Sequence, residues 1–498
     1  MAAWSVPALA AGVALATRLG WIVLLGDRVG ADEAVNGLMA WAIARGVEFP
    51  LTTWEAQYAG PLVPVLAAGP FALAGPSLLL LRLAALPLAL VGAAAVADAA
   101  RALWGASAGV VAGLAVAVAP PVFALYTTEA IGGYPEVLGL GGLLLWGAVR
   151  LAAAANPRPR HWTLFGVVGG LATWSMPLLL ALFAGAVVAL ARRRGIGRRS
   201  GALVAAGFLL GVAPYVVHNV LRPGASILRL AGRVLGVSAA QWGGGDQGRV
   251  LATALARYAA GFADVPRALV VAAAGFLDLA PVAAFPVVLI VAGAVVWTQA
   301  RRGDDSFGLA LAGWTALAGV VLLALGRFDA PRHQAVLWLP AALWLGWMAT
   351  RVPRRATPLA LAALAGFLAL NALGTAAHAR ERVRVAPLVE GLRARGLAAI
   401  YTDYFVAYPV IFLSREAILA SPEAGPVSVE RRPAYSAAVA RAPRVAYVFA
   451  RGSPAGRVFV AEMRRTGRTM GRTAADGFDI FVPAAPVRPD ELRLLRAF

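Results

Sequence analysis

Long apolar stretches recur along almost the whole chain and are separated by short polar segments. A helix needs about 20 apolar residues to cross the hydrocarbon core of a bilayer, and most of these stretches approach that length. The pattern therefore predicts an α-helical polytopic membrane protein with about 11 transmembrane helices. The predicted spans are residues 5–25, 78–99, 106–126, 134–151, 162–174, 176–191, 201–221, 278–299, 307–326, 334–350 and 357–377.

Arginines mark the ends of the predicted spans at regular places. Their clusters lie at residue 101 and at residues 150–160, 192–199, 301–302 and 351–355. Short loops rich in Arg belong on the cytoplasmic side. The pattern thus predicts a multi-pass protein of the inner (cytoplasmic) membrane, with its N-terminus in the cytoplasm and its C-terminus outside. The N-terminus has no basic region and no cleavage site, which favours an uncleaved signal anchor.

Two long segments, 27–77 and 222–277, become outer loops in this topology. We expect residues 61–76 to form a helix at the interface, because this stretch is short for a span and rich in proline. A break at Ser175-Met176-Pro177 is expected to produce a hairpin of two short helices. The alternative is a single long tilted helix, which would reverse the topology of everything downstream.

Composition narrows the class of protein. The chain is 60% hydrophobic and only 14% charged, whereas soluble domains carry roughly 25% charged residues. The net charge of +20 comes from arginines that punctuate apolar segments and form no single basic stripe. This argues against a nucleic-acid partner. The absence of cysteine excludes disulfides.

The character of the chain changes after the last predicted span. Residues 1–378 form the predicted transmembrane domain, and residues 379–498 are more charged, with shorter apolar runs. Their pattern predicts a helix at 385–396 and strands at 398–402, 444–449 and 478–482. We therefore expect a small extracytoplasmic α/β domain, to which the sequence assigns no catalytic role.

An acidic pair, Asp32-Glu33, follows the first predicted span and precedes a helical stretch from Ala34 to Arg45. Carboxylates at a membrane face are placed where a general base could meet a lipid-linked substrate. The simpler alternative is that one of them only caps the helix. We expect Asp32 to be catalytic and Glu33 to assist it, although capping and catalysis are compatible.

Further polar residues fall on the same predicted outer face. Glu136 opens a predicted span and is the third candidate catalytic residue, although it and Glu129 could instead be solvated turn residues. Arginines at this predicted outer face could bind a phosphate or pyrophosphate through bidentate hydrogen bonds. The candidate substrate-binding residues are Glu55, Gln57, Tyr58, Glu129, His218, Arg327, Arg332 and His333.

The order of these residues resembles the C-type (GT-C fold) membrane glycosyltransferases. The resemblance is to the branch with protein O-mannosyltransferases and aminoarabinose transferases. It covers about the first 200 residues well, and 401–414 resembles the outer C-terminal domain of such bacterial proteins. The matching segments are Arg18, Asp32-Glu33-Ala34, Arg45 to Pro50, Gln57 to Leu62, Gly75-Pro76-Ser77 with Leu81-Arg82-Leu83, and Gly132 to Glu136.

The resemblance implies an inverting transfer from a polyprenyl-phosphate sugar donor that enters from the outer leaflet. Asp32 would be the base that deprotonates the acceptor hydroxyl, and Glu136 would match the second acidic position. Arg327 and Arg332 would face the donor phosphate. No cofactor is required, and a divalent metal is left open. The chain departs from aminoarabinose transferases at Ala59-Gly60, where those enzymes carry a Lys, so its phosphate contact must come from elsewhere or its donor differs.

The predicted partners are the bilayer, the lipid-linked donor and an acceptor lipid, glycan or protein. Two other functions stay open. One is a non-enzymatic protein that binds or flips a polyprenyl lipid, although the paired inverted halves of a transporter are not evident. The other is an oligosaccharide ligase, which would depend on outer-loop Arg and His such as His218 in place of Asp32.

Overall fold

The computed structural model describes residues 5–54, 59–222, 307–325, 335–425 and 427–492. The predicted span 278–299 and the outer loop beyond residue 222 lie outside the described residues. The chain divides into two compact units. We call Met1–Leu24, Gln57–Val63 and Leu83–Arg380 the helical unit, and Leu25–Ala56, Pro64–Arg82 and Glu381–Phe498 the mixed unit. Whether 379–498 forms a domain by itself stays a prediction.

The helices of the helical unit follow the predicted apolar segments. They are α1 (Ser5–Leu25), α4 (Leu78–Trp104, from Leu83 onward), α5 (Ala106–Val118), α6 (Pro121–Tyr126), α7 (Tyr134–Ala153), α8 (Pro159–Ser175), α9 (Leu179–Arg194), α10 (Arg198–Leu221), α11 (Phe307–Leu325), α12 (Ala335–Ala349) and α13 (Thr357–Glu381). Among the described residues, five helical stretches are long and apolar enough to cross a membrane: α1, α4, α7, α10 and Arg354–Ala394, which includes α13. The total of 11 spans stays a prediction.

Two breaks interrupt these helices. The predicted hairpin is present, since α8 ends at Ser175 and the chain at Met176 is extended (φ −149°, ψ 108°) before α9 begins, so a single long helix is excluded. The predicted span 106–126 is not one continuous helix. It is divided into α5 and α6 at Ala119 (φ 50°), because Pro120 and Pro121 cannot continue a helix from within.

Glycines bring α8 and α10 into close contact. Gly166 and Gly170 lie one turn apart on α8, and a Cβ on either would come within 2.2 Å or less of a backbone oxygen of α10. Gly207 and Gly211 meet α8 in the same way. Two facing small-xxx-small motifs let the helix backbones touch, which is how membrane helices associate without a hydrophobic driving force.

The mixed unit combines helices with one sheet. Its helices are α2 (Ala31–Ala44), most of α3 (Leu62–Ala74), α14 (Ala386–Ala394), α15 (Tyr404–Leu413), α16 (Pro433–Ala440) and α17 (Pro454–Arg465). Its strands are β1 (Ala399–Tyr401), β2 (Leu419–Ser421), β3 (Ala446–Ala450), β4 (Met470–Ala475) and β5 (Phe478–Pro483). The helix and three strands expected from the sequence are therefore found at their predicted places.

The sheet has the order β2-β1-β3-β5-β4. Strand β1 runs parallel to β2 and β3, whereas β5 runs antiparallel to β3 and β4. Helix α15 follows β1 after Thr402-Asp403 and packs against α2. The ring of Phe412 lies so close to Gly37 that a Cβ there would be 2.4 Å from it. This close packing sets the start of α15 beside the start of α2.

Candidate active site

The acidic pair lies inside the first turn of α2, since the helix begins at Ala31 and not at Ala34 as predicted. The N-cap residue is Gly30, and no side chain caps this end. The capping alternative for Asp32 and Glu33 is therefore wrong. Both residues still lie in the first turn, where acidic side chains interact favourably with the helix dipole.

Asp32 meets two donors from the C-terminal part of the chain. Its Oδ1 accepts a hydrogen bond from the Tyr404 hydroxyl and one from Arg431 Nη2 at 3.2 Å. The Asp32 side chain is 47% exposed. Among the described residues, no group bonds to Oδ2. One oxygen of this carboxylate is thus fixed and the other is open.

Tyr404 is held firmly at the start of α15. The Asp403 side chain caps this helix by accepting from Val406 N at 3.1 Å. Burial, with Asp32 nearby, raises the pKa of the Tyr404 hydroxyl far above that of an ordinary tyrosine. The hydroxyl therefore keeps its proton and acts as a donor to Asp32, not as a base.

Arg431 is anchored at both ends. Its backbone N–H donates to the Tyr408 hydroxyl, and its Nε donates to the Tyr404 hydroxyl at 3.2 Å. Its guanidinium carbon lies 5.5 Å from the centre of the Tyr404 ring. The Glu430 carboxylate in turn accepts from the Tyr408 hydroxyl at 3.2 Å. The cation beside Asp32 is thus part of a hydrogen-bonded frame.

Glu33 has a different environment, although it is the next residue. Its two oxygens accept from Arg82 Nε and Nη2 at 2.8 and 2.9 Å, and both side chains are fully buried. Arg82 also donates to the carbonyl oxygens of Gly26 and Arg28. The pair fixes the turn that leads into α2. Whether Glu33 takes part in the chemistry stays a prediction.

Two more ion pairs in the mixed unit join the segment after α2 to the residue Glu416 that follows α15 and to Arg432 at the start of α16. Arg45 pairs with Glu416 at 2.6 Å, and Glu48 pairs with Arg432. The Arg432 guanidinium also stacks on the Trp54 ring at 4.3 Å. These contacts support the position of α2 relative to α15.

The second acidic place lies in the helical unit, at the start of α7. Glu136 and Glu129 are both buried, with 0% and 1% exposure, so the alternative that they are solvated turn residues is wrong. Glu136 Oε2 accepts from Gly133 N at 2.8 Å and closes the helix end. Its Oε1 is buried and has no hydrogen-bond partner among the described residues.

Three segments converge at this point of the helical unit. Gly60 N donates to Trp174 O at 2.7 Å. Gly133, with φ 95°, lies against Met176, whose Sδ is 2.8 Å from where a Cβ would stand. The predicted first loop, the turn before α7 and the hinge between α8 and α9 are therefore neighbours. His218 is also buried in this unit, at 7% exposure.

Other predicted site residues lie outside the described residues: Glu55, Gln57, Tyr58, Arg327, Arg332 and His333. Substrate binding by these six, and by Glu129 and His218, stays a prediction. Within the described ranges, no group of three or more His, Cys, Asp or Glu side chains could hold a metal ion.

Sequence reasoning missed three residues that shape the acidic pair. Tyr404 and Arg431 lie in the part of the chain that received no catalytic role, although the stretch beginning Tyr401-Thr402-Asp403-Tyr404 was part of the resemblance. Arg82 stood in the matched Leu81-Arg82-Leu83, where a cation inside an apolar run indicates a buried partner.

Known structures share this architecture. ArnT of Cupriavidus metallidurans bound to undecaprenyl phosphate matches with a TM-score of 0.65 and 17% identity, over 97% of this chain and 99% of that one. The same protein in the apo state matches with a TM-score of 0.59 and 16% identity, over 96% and 97%.

A third match is the Archaeoglobus fulgidus oligosaccharyltransferase in complex with Zn and sulfate. Its TM-score is 0.51 at 12% identity, over 89% of this chain and 68% of that one. No model of a known protein family matches the chain, and no curated protein matches it by sequence. The predicted resemblance is confirmed in three dimensions: this is a mostly helical membrane protein with the C-type glycosyltransferase fold.

Proposed function

We propose that the protein transfers a sugar from a polyprenyl-phosphate donor to an acceptor hydroxyl at the outer face of the cytoplasmic membrane, with Asp32 as the general base. The observation that carries this proposal is the half-exposed Asp32 carboxylate, which has one fixed and one open oxygen. ArnT, which has the same fold, was solved with undecaprenyl phosphate, and this supports a donor of that class.

The proposed step is a single displacement. The acceptor oxygen forms a bond to the anomeric carbon of the sugar while the bond from that carbon to the phosphate oxygen breaks. The electron pair leaves with the polyprenyl phosphate, and the acceptor proton passes to Asp32. Base catalysis of this kind contributes typically 10² to 10⁴-fold to a rate.

The topology belongs to the same proposal. Asp32 and the residues after 378 would lie outside the cytoplasmic membrane, as the arginine clusters indicate. Glu136 would be the second acidic residue. In the non-enzymatic alternative the protein binds the polyprenyl lipid and transfers no sugar. Only the transferase needs the carboxylate of Asp32, so this residue distinguishes the two functions.

The test compares the native protein with Asp32→Asn in a deletion strain, by mass spectrometry of envelope lipids, glycans and secreted proteins. We expect a hexose- or pentose-sized mass that returns only with the native protein, because the base supplies about 10² to 10⁴-fold. The matched control is Asp27→Asn, at a partly exposed acid that pairs with Arg384, and this variant should restore the product.

Binding of polyprenyl phosphate to the purified proteins is measured in parallel. Retained binding with lost transfer supports the enzyme. Full transfer by Asp32→Asn would reject Asp32 as the base, and a deletion that changes no sugar-containing product would favour the lipid-binding alternative.

A further inference from the structure

The two carboxylates of the first turn of α2 are bonded in opposite ways. Arg82 occupies both oxygens of Glu33, in the bidentate geometry that Arg adopts with a carboxylate it neutralises. At Asp32, Tyr404 and Arg431 instead converge on the same oxygen, Oδ1. No bond to Oδ2 is present among the described residues, so both donors hold the same end of this carboxylate.

Both donors to Asp32 come from positions that the fold fixes. Tyr404 begins a helix capped by Asp403, and its backbone N–H donates to Val427 O at 3.0 Å. Arg431 is bonded to Tyr404 by its side chain and to Tyr408 by its backbone. Groups that are held by their own partners can orient a third group precisely enough for catalysis.

We propose that Tyr404 and Arg431 are positioning residues that hold Oδ1 of Asp32, so that Oδ2 is the atom that receives the acceptor proton. This inference rests on the proposed function and adds the C-terminal region to the reaction centre. Tyr404 keeps its own proton during the step. Arg431 stays charged, as arginine does in proteins, and balances the carboxylate before the transfer.

The proposal excludes a purely structural role for the two residues. Ion pairs as exposed as Asp32–Arg431 contribute little to stability. Loss of this ion pair, or of the Tyr404 hydroxyl while its buried ring is kept, should therefore act on turnover through Asp32 and leave the fold intact. A phosphate-binding role for Arg431 predicts something else, namely weaker donor binding.

The experiment measures kcat and KM for donor and acceptor in Tyr404→Phe and in Arg431→Lys and Arg431→Gln. We expect kcat to fall about tenfold in Tyr404→Phe, as for loss of one hydrogen bond to a charged group. Arg431→Lys should retain more activity than Arg431→Gln, and KM for the donor should stay unchanged. Thermal unfolding confirms that each variant is folded.

The decisive measurement repeats Tyr404→Phe in the Asp32→Asn and Asp32→Glu backgrounds. A residue that acts through Asp32 loses its effect once the native carboxylate is gone, so the double variant should be no slower than Asp32→Asn alone. The matched control is Tyr435→Phe, which removes a similar hydroxyl-to-carboxylate bond, to Glu416 at 2.6 Å, and should leave kcat unchanged.

Three results would overturn the inference. They are a tenfold loss that persists in the Asp32→Asn background, a rise of the donor KM as the main effect of Arg431→Gln, and an equal loss in Tyr435→Phe. If the proposed role of Asp32 is wrong, the result differs: Asp32→Asn would then transfer sugar at the same rate as the native protein.

Discussion

The start of α2 and the start of α7 place a glutamate at the same helical position, the third residue, and bury both completely. Glu33 is neutralised by Arg82 through two hydrogen bonds. Glu136 accepts from the Gly133 N–H on Oε2, and its buried Oε1 has no hydrogen-bond partner among the described residues. A glutamate at the same helical position thus has hydrogen bonds to both oxygens in the mixed unit, but to only one of them in the helical unit, among the described residues.

This difference separates a buried carboxylate with both oxygens paired from one with an unpaired oxygen among the described residues. A buried charge without a partner costs free energy and tends to mark functional sites. Glu33 has the full set of bonds expected of a structural residue. Among the residues that the structure describes, no hydrogen bond reaches Oδ2 of Asp32 or Oε1 of Glu136.

The largest expected effect is on the buried pair. Glu33→Gln leaves the Arg82 guanidinium buried without a counter-charge, which should lower the free energy of unfolding by about 3–5 kcal/mol. Thermal and denaturant unfolding in detergent measures this change. Glu48→Gln, which breaks the more exposed pair with Arg432, is the control and should cost at most about 1 kcal/mol. Equal losses of stability in Glu33→Gln and Glu48→Gln would show that the buried pair contributes no more to the fold than the exposed one.

An intermediate effect is expected at α7. Glu136→Gln keeps an oxygen that can accept from Gly133 N–H and removes the charge. The unfolding temperature should stay the same or rise, whereas transfer should fall about tenfold or more if Glu136 acts in the reaction. Native activity in this variant would show that Glu136 only caps α7 and takes no part in transfer. Glu136→Ala, which also loses the cap, should be less stable than Glu136→Gln.

The smallest expected effect is the change in stability when the ion pair between Asp27 and Arg384 is removed. The hydrogen bond from Arg384 lowers the pKa of Asp27 below its ordinary value. A lowered pKa gives stability that is present at neutral pH and is lost as the pH falls below about 4. Arg384→Gln should therefore lower the unfolding temperature slightly at pH 7, and this difference should shrink as the pH falls below the ordinary aspartate pKa of about 4. Asp27→Asn should give the same small change, and the double variant should add nothing to it.

Sequence alone located most of the helices, because a long apolar run between arginine clusters leaves few other structures. It also located the break after Ser175 and the acidic pair. It missed the break at Ala119, although Pro120 and Pro121 stood inside that run. The two prolines indicate a helix break, but the apolar residues on both sides make the segment resemble one continuous span.

The partners of Asp32 could not be found in this way. Tyr404 and Arg431 lie 372 and 399 residues away along the chain. Helical and strand periodicity reports only local neighbours, so a single sequence contains no sign of such a contact. Arg82, 49 residues from Glu33, was noticed only as part of a motif.

The discontinuous mixed unit has a consequence for how the protein is made. Its first segment, Leu25–Ala56, is synthesised early, and its last, Glu381–Phe498, is synthesised at the end. A ribosome must therefore deliver nearly the whole chain before Asp32 can meet Tyr404 and Arg431. Until then the growing protein carries Asp32 without the two groups that donate hydrogen bonds to its Oδ1 in the folded chain.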